Sequence, residues 1–277
     1  MVAMHWRRAA GAGLLAVCLL AGSVCAQEKT GQTAGADAAK GKDEDVKEVV
    51  RRAGAAAEEL AAHLAMVRYQ EHISQYKIRG NKDKVEYEQE AFYDSLLLVH
   101  NRDGRMSAEE MLEEEKGPGR FEQRPLLLTR GFSTMALIVH PYYARCFRFV
   151  AEGEEMTDGR RLLRLHFEHI KGEDSPTVLR LRGRNYALGL AGTLWIDAES
   201  GTVARIHGEL SEAMEDIGLH RLDCEVRYAP VEMEKTGDRY WLPVTATVDL
   251  ETPKQHWRNV HEFAKYRRFE VKVKLGS

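Results

Sequence analysis

The chain of 277 residues is short of cysteine. It has four, and two of them, Cys18 and Cys25, lie within the first 26 residues. Beyond these only Cys146 and Cys224 remain, so at most one disulfide can form. In an oxidising compartment two such cysteines often pair; the other reading is two small buried hydrophobes, and spacing does not choose between them. Basic charge is also lacking. Forty Lys and Arg stand against 43 Asp and Glu, a formal net of −3. That gives no support to a nucleic-acid-binding reading. The chain contains no HExxH, no GxSxG and no P-loop, so the common zinc-protease, serine-hydrolase and nucleotide-binding readings have no residues to stand on. Gly189-Leu190-Ala191-Gly192 is too short and wrongly placed for a nucleotide loop. No catalytic residue, metal ligand or cofactor is assigned, and the protein is expected not to be an enzyme.

The first apolar run, Ala9 to Leu20, is too short to span a bilayer. It follows Arg7 and Arg8 and precedes Val24-Cys25-Ala26, the order of a secretory signal peptide with cleavage after Ala26. The competing reading is acylation of Cys25 or Cys18, but each follows Val rather than a small residue. Removal of residues 1–26 shifts the net charge from −3 to −5, because Arg7 and Arg8 leave with no acid. The expected organisation is a signal peptide (1–26), a disordered tether (27–44) poor in large apolar residues, and one domain (45–277). The expected address is the periplasm.

The domain opens with helical spacing. Val46, Val49, Val50, Ala53, Ala57, Leu60, Ala61 and Leu64 share one narrow, Ala-rich face, with the helix starting near Asp43 to Asp45. From Val67 the period shortens to two, and a mixed strand is followed by a second, Val85 to Val99, expected to bulge at Leu96-Leu97-Leu98. Ser107 with Glu110 three residues on predicts a short acidic helix to Lys116. Leu128, Phe132, Met135 and Val139 predict a buried helix before Pro141. From Tyr142 onwards strands dominate. Thr193–Ile196 and Thr202–Leu210 form a hairpin around Asp197-Ala198-Glu199-Ser200-Gly201, a run of turn residues. Tyr240 to Leu250 is the longest clean alternation, and Val260 to Tyr266 and Phe269 to Leu275 close the chain. Apolar residues hold one face of these strands and charged ones the other, which marks an antiparallel sheet. Ten to eleven strands with so few helices leave no βαβ crossovers. The expected fold is α+β, mainly β: a large curled antiparallel sheet holding a few helices in its hollow.

Possible chemistry was weighed against plainer roles. His166 and His169 point to opposite faces of a strand, and His256 and His261 flank Trp257 with the same defect, so neither pair suits a metal. Asp197 and Glu199 sit in a turn, where Asp caps backbone. Arg160, Arg161, Arg164, Arg180, Arg182 and Arg184 are either a patch for anionic headgroups or, more simply, the solvated face of strands. Trp195, Trp241 and Trp257 read as core or partly buried residues before ligand contacts. If a hollow exists, its walls come from the apolar stripes: Leu163, Leu165, Phe167, Leu242, Val244, Val248, Val271 and Val273.

The leader, the amphipathic helix, the strand series and the segments GTLWIDAESGTVARIHGEL, RYWLPVTATVDLE and RNVHEFAKYRRFEVKVKL together resemble the LolA/LolB-like group of bacterial envelope proteins. The resemblance spans roughly residues 45–275. It implies an unclosed β-barrel covered by helices, with lipoprotein acyl chains carried inside by its best-known members. The expected function is binding or carrying an acyl chain or other lipid as a monomer. The alternative is an envelope scaffold or protein-interaction module whose hollow is filled by its own side chains. An enzyme without a recognisable motif is a third, weaker reading.

Overall fold

The computed structural model describes residues 33–65, 67–79, 84–102, 105–114, 131–181, 184–233 and 236–268. The chain divides into two compact units, Met1–Ala38 and Ala39–Ser277, and the sheet belongs to the second. The signal peptide and the strand expected over 269–275 lie outside the described residues.

Helix α1 (Thr33–Leu64) starts earlier than the run of acids at 43–45. Its apolar stripe behaves as its spacing predicts: Val46, Ala53, Ala57, Leu60, Ala61 and Leu64 are buried. The Ala-rich face permits a close approach. A Cβ on Gly54 would lie 3.0 Å from the carbonyl oxygen of Val139.

Ten strands form one antiparallel sheet in the order β3-β2-β1-β12-β11-β10-β9-β8-β5-β4. They are β1 (Val67–Arg79), β2 (Lys84–Arg102), β3 (Arg105–Glu114), β4 (Phe147–Thr157), β5 (Arg160–His169), β8 (Leu190–Asp197), β9 (Val203–Leu210), β10 (Arg221–Glu232), β11 (Arg239–Glu251) and β12 (His256–Arg268). A separate hairpin, β6 (Val178–Leu181) with β7 (Arg184–Ala187), interrupts the path from β5 to β8. Strands β3 and β4 are the two edges, so the sheet is not closed into a barrel. The chain between them must pass from one edge to the other. On that crossing lie a 3-10 helix, η1 (Phe132–Val139), and a single turn of α-helix, α2 (Pro141–Ala144).

Several local expectations gave way to tertiary pairing. The stretch from Ser107 is strand β3, not an acidic helix. Its backbone pairs with β2 through Ser107↔His100 and Glu110↔Leu97, and a long partner strand outweighs a local capping signal. No bulge occurs at Leu96–Leu98; the register of β1 and β2 shifts instead at Lys77/Ile78, opposite Tyr87 and Val85. The helix before Pro141 exists, but as a 3-10 helix of eight residues, every one buried. Tyr142 belongs to α2, and the strands resume at Phe147.

The hairpin of β8 and β9 forms as its turn residues require. Asp197 Oδ1 accepts from the backbone N–H of Glu199 (3.1 Å) and Ser200 (2.8 Å) and from the Ser200 hydroxyl (2.9 Å). Gly201 takes φ +76°. Helix α1 rests on this turn, with Arg52 Nη1 donating to the Ala198 carbonyl at 3.0 Å. Within the hairpin Gly192 faces Gly208 across the strands. Cys146 and Cys224 are both buried and free. The Cys224 thiol donates to the Gly208 carbonyl at 3.2 Å, and burial pushes its pKa up.

Candidate functional site: the inner face of the sheet

The inner face has two halves of different chemistry. On β5 and β8–β11 it is apolar: Leu165 and Phe167, then Leu190, Leu194 and Ile196, Val203 and Ile206, Leu222, Cys224 and Val226, and Leu242, Ala246, Val248 and Leu250 are all buried in one cluster. Strand alternation places them there, since cross-strand partners such as Cys224↔Val248 and Val226↔Ala246 share a face. Helix η1 lies on this surface. A Cβ on Gly208 would meet the Met135 methyl at 2.7 Å and the Phe167 ring at 3.3 Å, and the Cys224 thiol lies 3.7 Å from the Met135 sulfur. Glycine at 208 thus makes room for Met135.

The eight residues named from the sequence as hollow walls are dispersed. Leu165, Phe167, Leu242 and Val248 stand together in the core under η1. Leu163, opposite Ile196, is half-buried and outside that cluster. Val244 is half-buried because it is the extra residue where the register of β10 and β11 shifts, between Thr245↔Arg227 and Pro243↔Tyr228. Val271 and Val273 lie outside the described residues.

On β1, β2, β3 and β12 the inner face mixes apolar core residues such as Val67, Leu97 and Phe263 with buried polar groups. Glu71 (3% exposed) and His261 (1%) form an imidazole–carboxylate pair, Nδ1 to Oε1 at 2.6 Å. The Ser95 hydroxyl donates to Glu71 Oε2 at 3.2 Å, and the Gln75 amide donates to Asn259 Oδ1 at 3.0 Å. Glu110 receives three donors: the Tyr69 hydroxyl (3.0 Å), the Ser133 hydroxyl (2.5 Å) and the Gly131 N–H (2.9 Å). Two of these belong to the start of η1. A second anchor is Tyr228, whose oxygen accepts from the Ala136 N–H at 2.9 Å and donates to the Ser133 carbonyl at 3.3 Å. Side chains from β3 and β10 therefore hold the 3-10 helix across the hollow. Sequence reading missed this half. The one signal was the row Tyr69, Glu71, Ile73, Gln75, where polar residues keep the parity of apolar ones.

Burial, and then the charge of Glu71, push the Glu110 carboxyl above its ordinary range, against the pull of its donors. The consequence for stability has a definite sign. A carboxyl raised in the folded state adds stability that is full below the unfolded value, near pH 4.3, and lost as pH climbs through the folded one. The unfolding free energy of wild type relative to Glu110→Gln is expected to be highest at acidic pH and to fall as pH rises above the ordinary carboxylate range. Urea titrations of both proteins across pH would show it; a difference that grows with pH would contradict the assignment.

The other residues weighed in the sequence have structural partners. His166 faces Glu152 at 3.6 Å, and His169 Nε2 lies 3.2 Å from the Asp174 carbonyl. His256 bonds Asp249 at 3.0 Å, and no group of three or more metal-ligating side chains converges among the described residues. Burial opposes ionisation of Asp197, but the Ser200 donors and Arg160 overcome it and hold its pKa low. Arg160 pairs with Asp197 and lies over the Trp241 ring; Arg161 pairs with Glu154 and Arg164 with Glu152. All three are paired and partly or fully solvent-exposed, but adjacent Arg160 and Arg161 lie on opposite faces of β5, while the side chains of Arg180, Arg182 and Arg184 lie outside the described set. Trp195 donates to Glu155 at 2.9 Å beneath Arg205, Trp241 donates to the Val203 carbonyl at 2.7 Å, and Trp257 is in the core.

Neither a family model nor a curated protein matches the chain. It is similar to several solved structures. A putative outer membrane lipoprotein-sorting protein domain from Vibrio parahaemolyticus has 11% identity and a TM-score of 0.43 over 84% of this chain and 95% of that one. A LolA superfamily protein from Nitrosomonas europaea has 11% identity and a TM-score of 0.40 over 82% and 94%. LolA-type proteins are thus among the structures this chain is similar to. The MucA/MucB complex of Pseudomonas aeruginosa has 13% identity and a TM-score of 0.21 over 79% and 99%. Among the described residues no helix is long and apolar enough to cross a membrane.

Proposed function

We propose that the protein is a non-enzymatic binding protein of the bacterial cell envelope, exported by its leader, cleaved after Ala26 and monomeric. Its domain takes up an acyl chain or similar apolar ligand in the hollow of the sheet. The observation that carries this reading is the cover of the apolar half. The five-strand surface from β5 to β11 is closed by eight residues of 3-10 helix together with the Ala-rich face of α1. Runs of 3-10 helix beyond three or four residues are uncommon, because their hydrogen bonds are poorly aligned. The apolar side chains of η1 stand where ligand methylenes would go. A ligand that displaces them gains about 0.8 kcal/mol per buried methylene and needs no specific polar contact. Leu165, Phe167, Leu242 and Val248 would form its wall.

The second reading keeps the hollow filled and gives the protein a partner bound elsewhere on its surface. The close packing of Met135 on Gly208, Phe167 and Cys224 favours it. Native mass spectrometry of residues 27–277, purified without detergent, followed by displacement of a fluorescent fatty acid, separates the two. The carrier reading expects one probe per chain and tighter binding by Met135→Ala, which empties part of the hollow at a stability cost of about 2–5 kcal/mol. A bare protein that takes up no probe in either form leaves the filled hollow as the correct reading.

A further inference from the structure

One end of the sheet carries two clefts of similar size and opposite electrostatic character. It is the end where β1 finishes, β2 begins, β11 finishes and β12 begins. The first cleft, ≈ 640 Å³, is walled by Lys77, Arg79 and Glu86 on one side and by Arg221, Glu251 and Lys254 on the other. We infer that this cleft is a binding site for a phosphate group, either free or as part of a lipid headgroup.

The charges decide it. Among the described residues that line this wall, four cations meet two carboxylates. Lys77 (2.9 Å) and Arg79 (3.7 Å) share the single carboxylate of Glu86. Arg221 takes Glu251 at 3.0 Å and also reaches Asp223 at 3.9 Å. Lys254 has no carboxylate within ion-pair distance among the described residues. His256, also in the wall, is turned to Asp249. Among the described residues the cleft therefore keeps Lys254 without a carboxylate and Arg79 only loosely held, on a chain whose net charge is −3. A phosphate group has enough oxygens to take both Arg79 and Lys254. Arg79 is 77% exposed and Lys254 is exposed, so both can turn onto a ligand without leaving a buried partner. The guanidinium fork suits phosphate oxygens, and a concave wall of one sign focuses the field. The volume falls within the roughly 300–1,000 Å³ usual for ligand sites.

The second cleft on the same rim, ≈ 630 Å³, shows that the excess is local. It is lined by Arg148 and Lys171 against Glu168, Glu173 and Glu212. Lys171 is held by Glu212 at 2.7 Å and Arg148 by Glu168 at 3.6 Å. No cation is left over.

This inference does not rest on the hollow, so either can fail alone. The test is calorimetric titration with inorganic phosphate, with acetate as control, beside flotation with vesicles of phosphatidylcholine alone or mixed with phosphatidylglycerol. Lys254→Glu combined with Arg79→Glu is expected to weaken binding at least about tenfold, and raised salt to weaken it further. Lys171→Glu, in the acidic cleft, is expected to leave it unchanged. Binding of inorganic phosphate over acetate supports a free ligand. Binding only to the mixed vesicles, lost in the double variant, supports a headgroup. No binding in either arm, equal binding of acetate, or equal loss in Lys171→Glu overturns the assignment. All three substitutions are at exposed positions, and circular dichroism checks that the fold persists.

Discussion

Gly192→Ala is expected to cost about 3 kcal/mol or more and to lower the melting temperature by roughly 6–12 °C. Gly192 on β8 stands directly opposite Gly208 on β9. A Cβ at 192 would run into the His207 carbonyl oxygen and lie 2.8 Å from the Gly208 Cα. Both are backbone of a paired strand, so relief requires the strands to part. Gly208→Ala is the informative comparison. Its Cβ would meet only the Met135 methyl at 2.7 Å, the end of a flexible side chain, and then the Phe167 ring at 3.3 Å. Met135 can turn aside, at the cost of disturbing its seat in the hollow. Thermal unfolding should therefore rank Gly192→Ala well below Gly208→Ala. Equal melting temperatures would mean that the strands are not as close as the structure places them.

Removing either member of the buried pair, by Glu71→Ala or His261→Ala, is expected to cost about 3–5 kcal/mol. Each leaves the other polar group buried without the partner 2.6 Å away, and Glu71→Ala also strands the Ser95 hydroxyl. The two losses are not independent. Glu71→Ala with His261→Ala should cost much less than the sum of the single changes, because neither member of the pair is left as the other's orphan, although the Ser95 hydroxyl stays stranded. Urea unfolding of the four proteins completes the cycle. Strict additivity would show that the pair contributes nothing as a pair.

Where residues act through their neighbours in sequence, the structure follows the sequence closely. The stripe of α1, the Asp197–Gly201 turn and the alternation of β10 and β11 were all legible, since each is set by a period or by turn chemistry within a few residues. The antiparallel class followed from one apolar and one wet face. Legibility ended where distant strands meet. Ser107 to Glu114 carries a capping signal that a helix would use, yet β2 claims it as an edge strand. Val244 has the right parity for the core, but a bulge opposite Arg227/Tyr228 takes it out. Glu71 and His261 are 190 residues apart and join only because β1 lies beside β12.

By itself the sequence determined a mainly antiparallel sheet, its apolar stripes, the hairpin turn and a helix with a narrow Ala-rich face, because these depend on local period and local backbone preference. The tertiary structure alone decided that β1 and β12, the first and last of the described strands, pair inside the sheet. It also decided that the chain from β3 to β4 crosses the hollow as a 3-10 helix pinned by Glu110 and Tyr228. Half of the inner face, finally, carries buried polar pairs among its apolar residues. Those outcomes turn on strand order and register, which join residues far apart in the chain and leave no trace in the spacing of either one alone.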